Sequence, residues 1–149
     1  MFFSLILFLL LFISSLCSDD YPDSIGSAAL IPVNTAIQGT ITCGGDYDFF
    51  RVNLVAGRTY VITMEALNPA SPSFDDYLKF YDSSQSEIDH DDDSSGKNAI
   101  ISQTISSTGV YYIRASGYDG GECGTYVLAV MDTSSCSGSC TSMDFLFMY

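Results

Sequence analysis

The chain has 149 residues, enough for one domain with a real core, and carries 18 acidic against 5 basic side chains, a net charge of −13 at pH 7. Such a charge argues against nucleic acid and anionic membrane as partners, and favours cations and basic groups. With 47% hydrophobic and 13% aromatic content, the chain is too apolar to be an acidic disordered protein.

The first 17 residues read as a signal peptide. Met1 to Leu16 is almost uninterrupted Phe, Leu and Ile, and Ser15-Leu16-Cys17 places small residues at the −3 and −1 positions of a cut after Cys17. The run is shorter than the roughly 20 residues that span a bilayer. A secreted, extracellular protein is expected, with no membrane attachment after cleavage. Residues 18–33, with Asp19, Asp20, Asp23 and two prolines, form a polar leader that reads as a linker or a loosely attached edge.

Short alternating runs follow, separated by turn signals, over residues 34–132. Ile37, Gly39 and Ile41 alternate first; then Phe50, Val52 and Leu54 up to the turn Ala56-Gly57-Arg58; then Tyr60, Ile62 and Met64. Pro69 and Pro72 break the next stretch. Tyr77 to Tyr81 and Glu87 to His90 read as a hairpin around residues 82–86, and strands are predicted at 100–105, 110–116 and 126–131. That pattern predicts an all-β antiparallel sandwich or barrel of about eight strands, without a helix of any length after the signal. The predicted interior is Ile41, Phe50, Val52, Leu54, Tyr60, Ile62, Met64, Leu78, Phe80, Ile101, Ile105, Tyr111, Ile113, Tyr126, Leu128 and Val130. Residues 133–149 form a Cys-containing tail whose apolar end is too short to span a membrane.

Four cysteines remain after removal of Cys17: Cys43, Cys123, Cys136 and Cys140. In a secreted chain they imply two disulfides, for which there are three pairings. Cys43–Cys123 with Cys136–Cys140 is favoured, because the first two sit in glycine-bearing turns and the last two are near neighbours.

Acidic loops are the candidate chemistry. A hairpin turn centred near Ser84 and Gln85 sets Leu78 opposite Asp91, Tyr77 opposite Asp92 and Asp76 opposite Asp93. Asp75, Asp76, Asp91, Asp92 and Asp93 then crowd at the open end of one hairpin. Crowded carboxylates repel and call for a counter-charge, and calcium, which takes six to eight oxygens in loose geometry, is the expected ligand. A solvated acidic loop is the alternative. Asp46 and Asp48 form a second acidic pair, read as turn caps in preference to metal ligands. His90, the only histidine, lies among aspartates but has no nucleophile motif near it, so no catalytic site is expected. Tyr112 and Tyr118 are the candidate contact residues for a binding partner.

The runs Gly39-Thr40-Ile41, Gly45-Asp46-Tyr47-Asp48-Phe49-Phe50-Arg51-Val52, Asp76-Tyr77-Leu78-Lys79-Phe80-Tyr81-Asp82, Gly109-Val110-Tyr111-Tyr112-Ile113-Arg114 and Gly124-Thr125-Tyr126-Val127-Leu128 occur in this order. Together they resemble the bacterial pre-peptidase C-terminal domain family, with Phe49 where the family usually has Trp. The resemblance implies a jelly-roll-like β-sandwich appended to secreted peptidases and other exported enzymes. It is related to the collagen-binding domains of bacterial collagenases, some of which bind calcium. The function expected is a secreted, non-catalytic binding or accessory module, calcium-stabilised, that adheres to an extracellular protein or polysaccharide. The alternative is a pro-domain or chaperone-like accessory of a separately encoded secreted peptidase.

Overall fold

The computed structural model describes residues 19–43, 45–67, 74–119 and 121–135. The expected signal segment and the pair Cys136 and Cys140 lie outside them. Nine strands follow in chain order: β1 (Ala29–Leu30), β2 (Thr35–Ile41), β3 (Asp48–Leu54), β4 (Thr59–Ala66), β5 (Asp76–Tyr81), β6 (Glu87–Asp91), β7 (Ala99–Thr104), β8 (Gly109–Gly117) and β9 (Gly124–Asp132). They build a five-stranded sheet in the order β1-β3-β8-β5-β6 and a four-stranded sheet in the order β2-β9-β4-β7. All pairings are antiparallel except β1 with β3. This is the expected all-β, jelly-roll-like sandwich. Helical structure among the described residues is limited to two three-residue 3-10 turns, Ile25–Ser27 and Thr133–Ser135.

Period-two alternation explains why these segments become strands. In β3, Phe50, Val52 and Leu54 are buried while Arg51 and Asn53 are exposed; β5 buries Leu78 and Phe80 and turns Tyr77, Lys79 and Tyr81 the other way. Every interior position expected from the alternation is buried. The turn after β3 uses Gly57 at φ 81°, a left-handed conformation that costs glycine nothing.

The leader contributes the ninth strand. β1 pairs with β3, Ile31 is fully buried, and the Tyr21 ring meets Phe50 edge-on at 4.6 Å. Two apolar anchors in a polar segment are enough to lay it along the sheet edge.

Cys43 and Cys123 are bonded, with Cα atoms 4.7 Å apart across a sequence separation of 80. The bridge joins the segment before β3 to the segment before β9, so that it ties loops leading into different sheets.

Candidate functional site

The hairpin register is as the turn position predicts, with Leu78 opposite Asp91. The carboxylates, however, do not gather. Asp91 closes its own loop: its Oδ2 accepts from the Ile100 amide (2.7 Å) and the Ser94 amide (3.2 Å), and its Oδ1 from Ser94 Oγ (2.5 Å). β6 ends at this residue, and Asp93 is exposed in the loop beyond Asp92. Asp76 points inward, fully buried, with neither oxygen hydrogen-bonded. Asp75 turns towards Lys97, whose Nζ is 3.7 Å from Oδ2. Among the described residues, Asp75, Asp76, Asp91, Asp92 and Asp93 do not bring three carboxylates within 4.8 Å of one another.

Asp19, Asp46 and Asp48 do come together, each with a carboxylate oxygen within 4.8 Å of the others. β3 supplies Asp48, in phase with Phe50, Val52 and Leu54 and therefore directed into the sandwich. The leader supplies Asp19 and is clamped in place by three contacts. The Phe49 amide donates to the Pro22 carbonyl (3.0 Å), the Tyr47 amide to Asp23 Oδ1 (3.3 Å), and the Tyr21 hydroxyl to the Gln38 carbonyl (3.1 Å). Asp46 also caps its turn, accepting from the Thr42 amide (2.5 Å) and hydroxyl (2.9 Å) through Oδ2.

Asp48 is the unusual member. It is completely buried; Oδ2 accepts from the Tyr126 hydroxyl at 2.5 Å, and Oδ1 has no hydrogen-bond partner. Burial raises its pKa to about 7, against the stabilising Tyr126 hydrogen bond and with the help of nearby Asp20, Asp46 and Asp19. Asp23 is raised as well, chiefly by a hydrogen bond with Asp46. All the donors are oxygens, and the most deeply buried of them has one oxygen unmatched. That chemistry suits a hard cation such as calcium.

Sequence reasoning recognised Asp46 and Asp48 only as a second pair and left Asp19 in the leader. One signal was available: Asp48 and Asp76 each sit in phase with the apolar residues of their own strand, which marks an inward carboxylate.

The second feature is the outer face of the five-stranded sheet. On β8, Arg114 lies between Phe49 of β3 and Lys79 of β5, and Tyr112 lies between Arg51 and Tyr81. The Arg114 guanidinium carbon lies over the Tyr47 ring, 4.7 Å from its centroid, and 5.5 Å from the centroid of Tyr77. Tyr118, 55% exposed, meets Tyr77 edge-on at 5.8 Å. The structure thus brings Tyr112 and Tyr118 to one face. His90 is on the neighbouring strand, its Nδ1 3.1 Å from Glu87 Oε1 and its ring 6.1 Å from Tyr77.

The described residues thus form a two-sheet sandwich with a three-carboxylate cluster where the leader meets β3 and an aromatic, cationic face on the five-stranded sheet. The sequence model of the bacterial pre-peptidase C-terminal domain matches residues 46–117, from the turn before β3 to the end of β8. Among solved structures, the fold is similar to the pre-peptidase C-terminal domain of collagenase from Bacillus anthracis, with 23% identity and a TM-score of 0.57 over 75% of this chain and 99% of that one. It is also similar to PliG of Aeromonas hydrophila, a periplasmic inhibitor of g-type lysozyme, with 14% identity and a TM-score of 0.53 over 71% of this chain and 97% of that one. At these identities the likeness is one of fold. None of the curated proteins matches the chain. No helix among the described residues is long and apolar enough to cross a membrane.

Proposed function

We propose that this is a secreted, non-catalytic binding module that takes calcium at Asp19, Asp46 and Asp48 and adheres to an extracellular protein or polysaccharide. The observation that carries the metal is Asp48, a fully buried carboxylate with one oxygen unmatched and two further carboxylates within reach. Leaving such a group unpaired costs stability, and a divalent ion would offset both that cost and the mutual repulsion. Calcium fits better than magnesium, which prefers a strict octahedron and retains its waters. Because Asp19 comes from the leader and Asp46 and Asp48 from the segment entering β3, the ion would also tie the leader to the sandwich.

The outer face supports adhesion. Tyr112, half-buried, and Tyr118, exposed, stand there among other rings and cations. A second reading is an accessory of a separately encoded secreted peptidase. It draws support from the family's description and from the collagenase origin of the matched domain.

Two measurements test the proposal. Calcium at millimolar concentration should raise the melting temperature relative to chelator, since a ligand of the native state stabilises it. The protein should also be retained on at least one matrix among collagen, chitin, cellulose and pectate gel. An unchanged melting curve discards the metal; passage through all four matrices discards adhesion.

A further inference from the structure

Three of the five cationic side chains in a chain of net charge −13 share one surface, the outer face of the five-stranded sheet: Arg51, Lys79 and Arg114. The other two face carboxylates, Arg58 with Asp132 and Lys97 with Asp75. Lys79 and Arg114 are directly paired across β5 and β8, an arrangement of like charges that costs stability. Lys79 is compensated by Glu87 at 2.7 Å. Arg114 is not. Among the described residues no carboxylate pairs with it, and its Nε is buried without a partner. Instead its guanidinium lies over the rings of Tyr47 and Tyr77, 4.7 and 5.5 Å from their centroids.

We infer that this face binds an anionic polysaccharide of the uronic-acid type, with Arg114 taking a sugar carboxylate. The inference rests on the binding-module reading above and names the ligand class. A guanidinium already held between two rings loses little further entropy on pairing, and its planar fork matches a carboxylate in bidentate fashion. Tyr112 and Tyr118, on the same face, offer the flat surfaces on which the apolar faces of pyranose rings lie. A polymer with one carboxylate per ring supplies both partners repeatedly. An acidic peptide fits less well, because extended peptides are recognised through free backbone groups at a sheet edge or in a groove, whereas β8 is paired on both sides. The protein's overall negative charge does not forbid an anionic ligand here, since screening at physiological salt confines each charge to about 8 Å.

The test measures binding of short oligogalacturonides, their methyl esters and polyglutamate to the full chain, alongside the four-matrix panel. Free-acid oligogalacturonide should bind, the methyl ester at least about tenfold more weakly, in line with loss of a charge-assisted pair. Arg114→Gln should reproduce that loss with an unchanged melting temperature, and Tyr112→Ala should weaken acid and ester forms alike. If Arg114→Gln unfolds, the comparison of acid with ester decides alone. Equal binding of acid and ester, or equal binding of polyglutamate, overturns the inference. Retention on collagen, chitin or cellulose without binding of the free acid overturns it and leaves the adhesion reading intact; absence of all binding removes both.

Discussion

The hydroxyl of Tyr126, on β9 of one sheet, donates to the Asp48 carboxylate, on β3 of the other, at 2.5 Å inside the sandwich. Gly39 makes this crossing possible. It lies opposite Tyr126 in the β2–β9 register, and a Cβ there would come within 2.3 Å of the ring. Loss of the hydroxyl in Tyr126→Phe leaves a buried carboxyl without a donor, at an expected cost of about 1–3 kcal/mol in urea unfolding. Gly39→Ala should cost at least as much by displacing the ring. The two changes should be less than additive, because both break one contact.

The calcium assignment separates two acidic regions. In thermal melts, Asp19→Asn is expected to reduce the calcium-dependent rise, since Asp19 is exposed yet belongs to the three-carboxylate group. Asp92→Asn, in the loop after β6, should leave the rise unchanged. The reverse outcome would return the site to the hairpin end.

Stability in chelator should fall as pH rises. Asp48 and Asp76 both have folded-state pKa values of about 7, raised first by burial, against an ordinary 3.8. Between about pH 4 and pH 7 the folded protein holds protons that the unfolded chain has released, so unfolding becomes easier through that window. Denaturant midpoints between pH 4 and pH 8 would check it. Asp76→Asn should flatten the slope, because a neutral amide has no proton to lose; a slope of the same size in this variant would place the proton elsewhere.

Removal of the bridge in Cys43→Ser with Cys123→Ser should lower stability by about 4 kcal/mol on the loop-entropy scale for so long a loop. The far-ultraviolet spectrum should remain that of a β protein, since both sheets are held by their own ladders and core. Equal melting temperatures with and without reductant in the wild-type protein would contradict this.

Much of the fold is legible in the order of residues. Phe50, Val52 and Leu54, or Leu78 and Phe80, announce both a strand and its buried face, because adjacent side chains on a pleated backbone must point oppositely. Ser84 and Gln85 likewise locate a turn, and from it the Leu78–Asp91 register follows by counting. β1 was not legible: two residues, Ala29 and Leu30, are too short for a period, and they pair only because Ile31 and Tyr21 find apolar partners in the completed sandwich.

The acidic site divides in the same way. That Asp48 and Asp76 point inward was written in their phase with apolar neighbours, a local property of consecutive residues. Which carboxylates meet was not, because the reach of Asp19 to Asp46 and Asp48 depends on how a distant leader folds over a sheet edge. The cationic face is of the same kind. Arg51, Lys79 and Arg114 are scattered along the chain and converge only when β3, β8 and β5 lie side by side. Alternation along a strand is set by backbone geometry, and the sequence alone therefore determined which way each side chain faces; proximity between strands is set by long-range packing, and only the tertiary structure decided which of those side chains share a site.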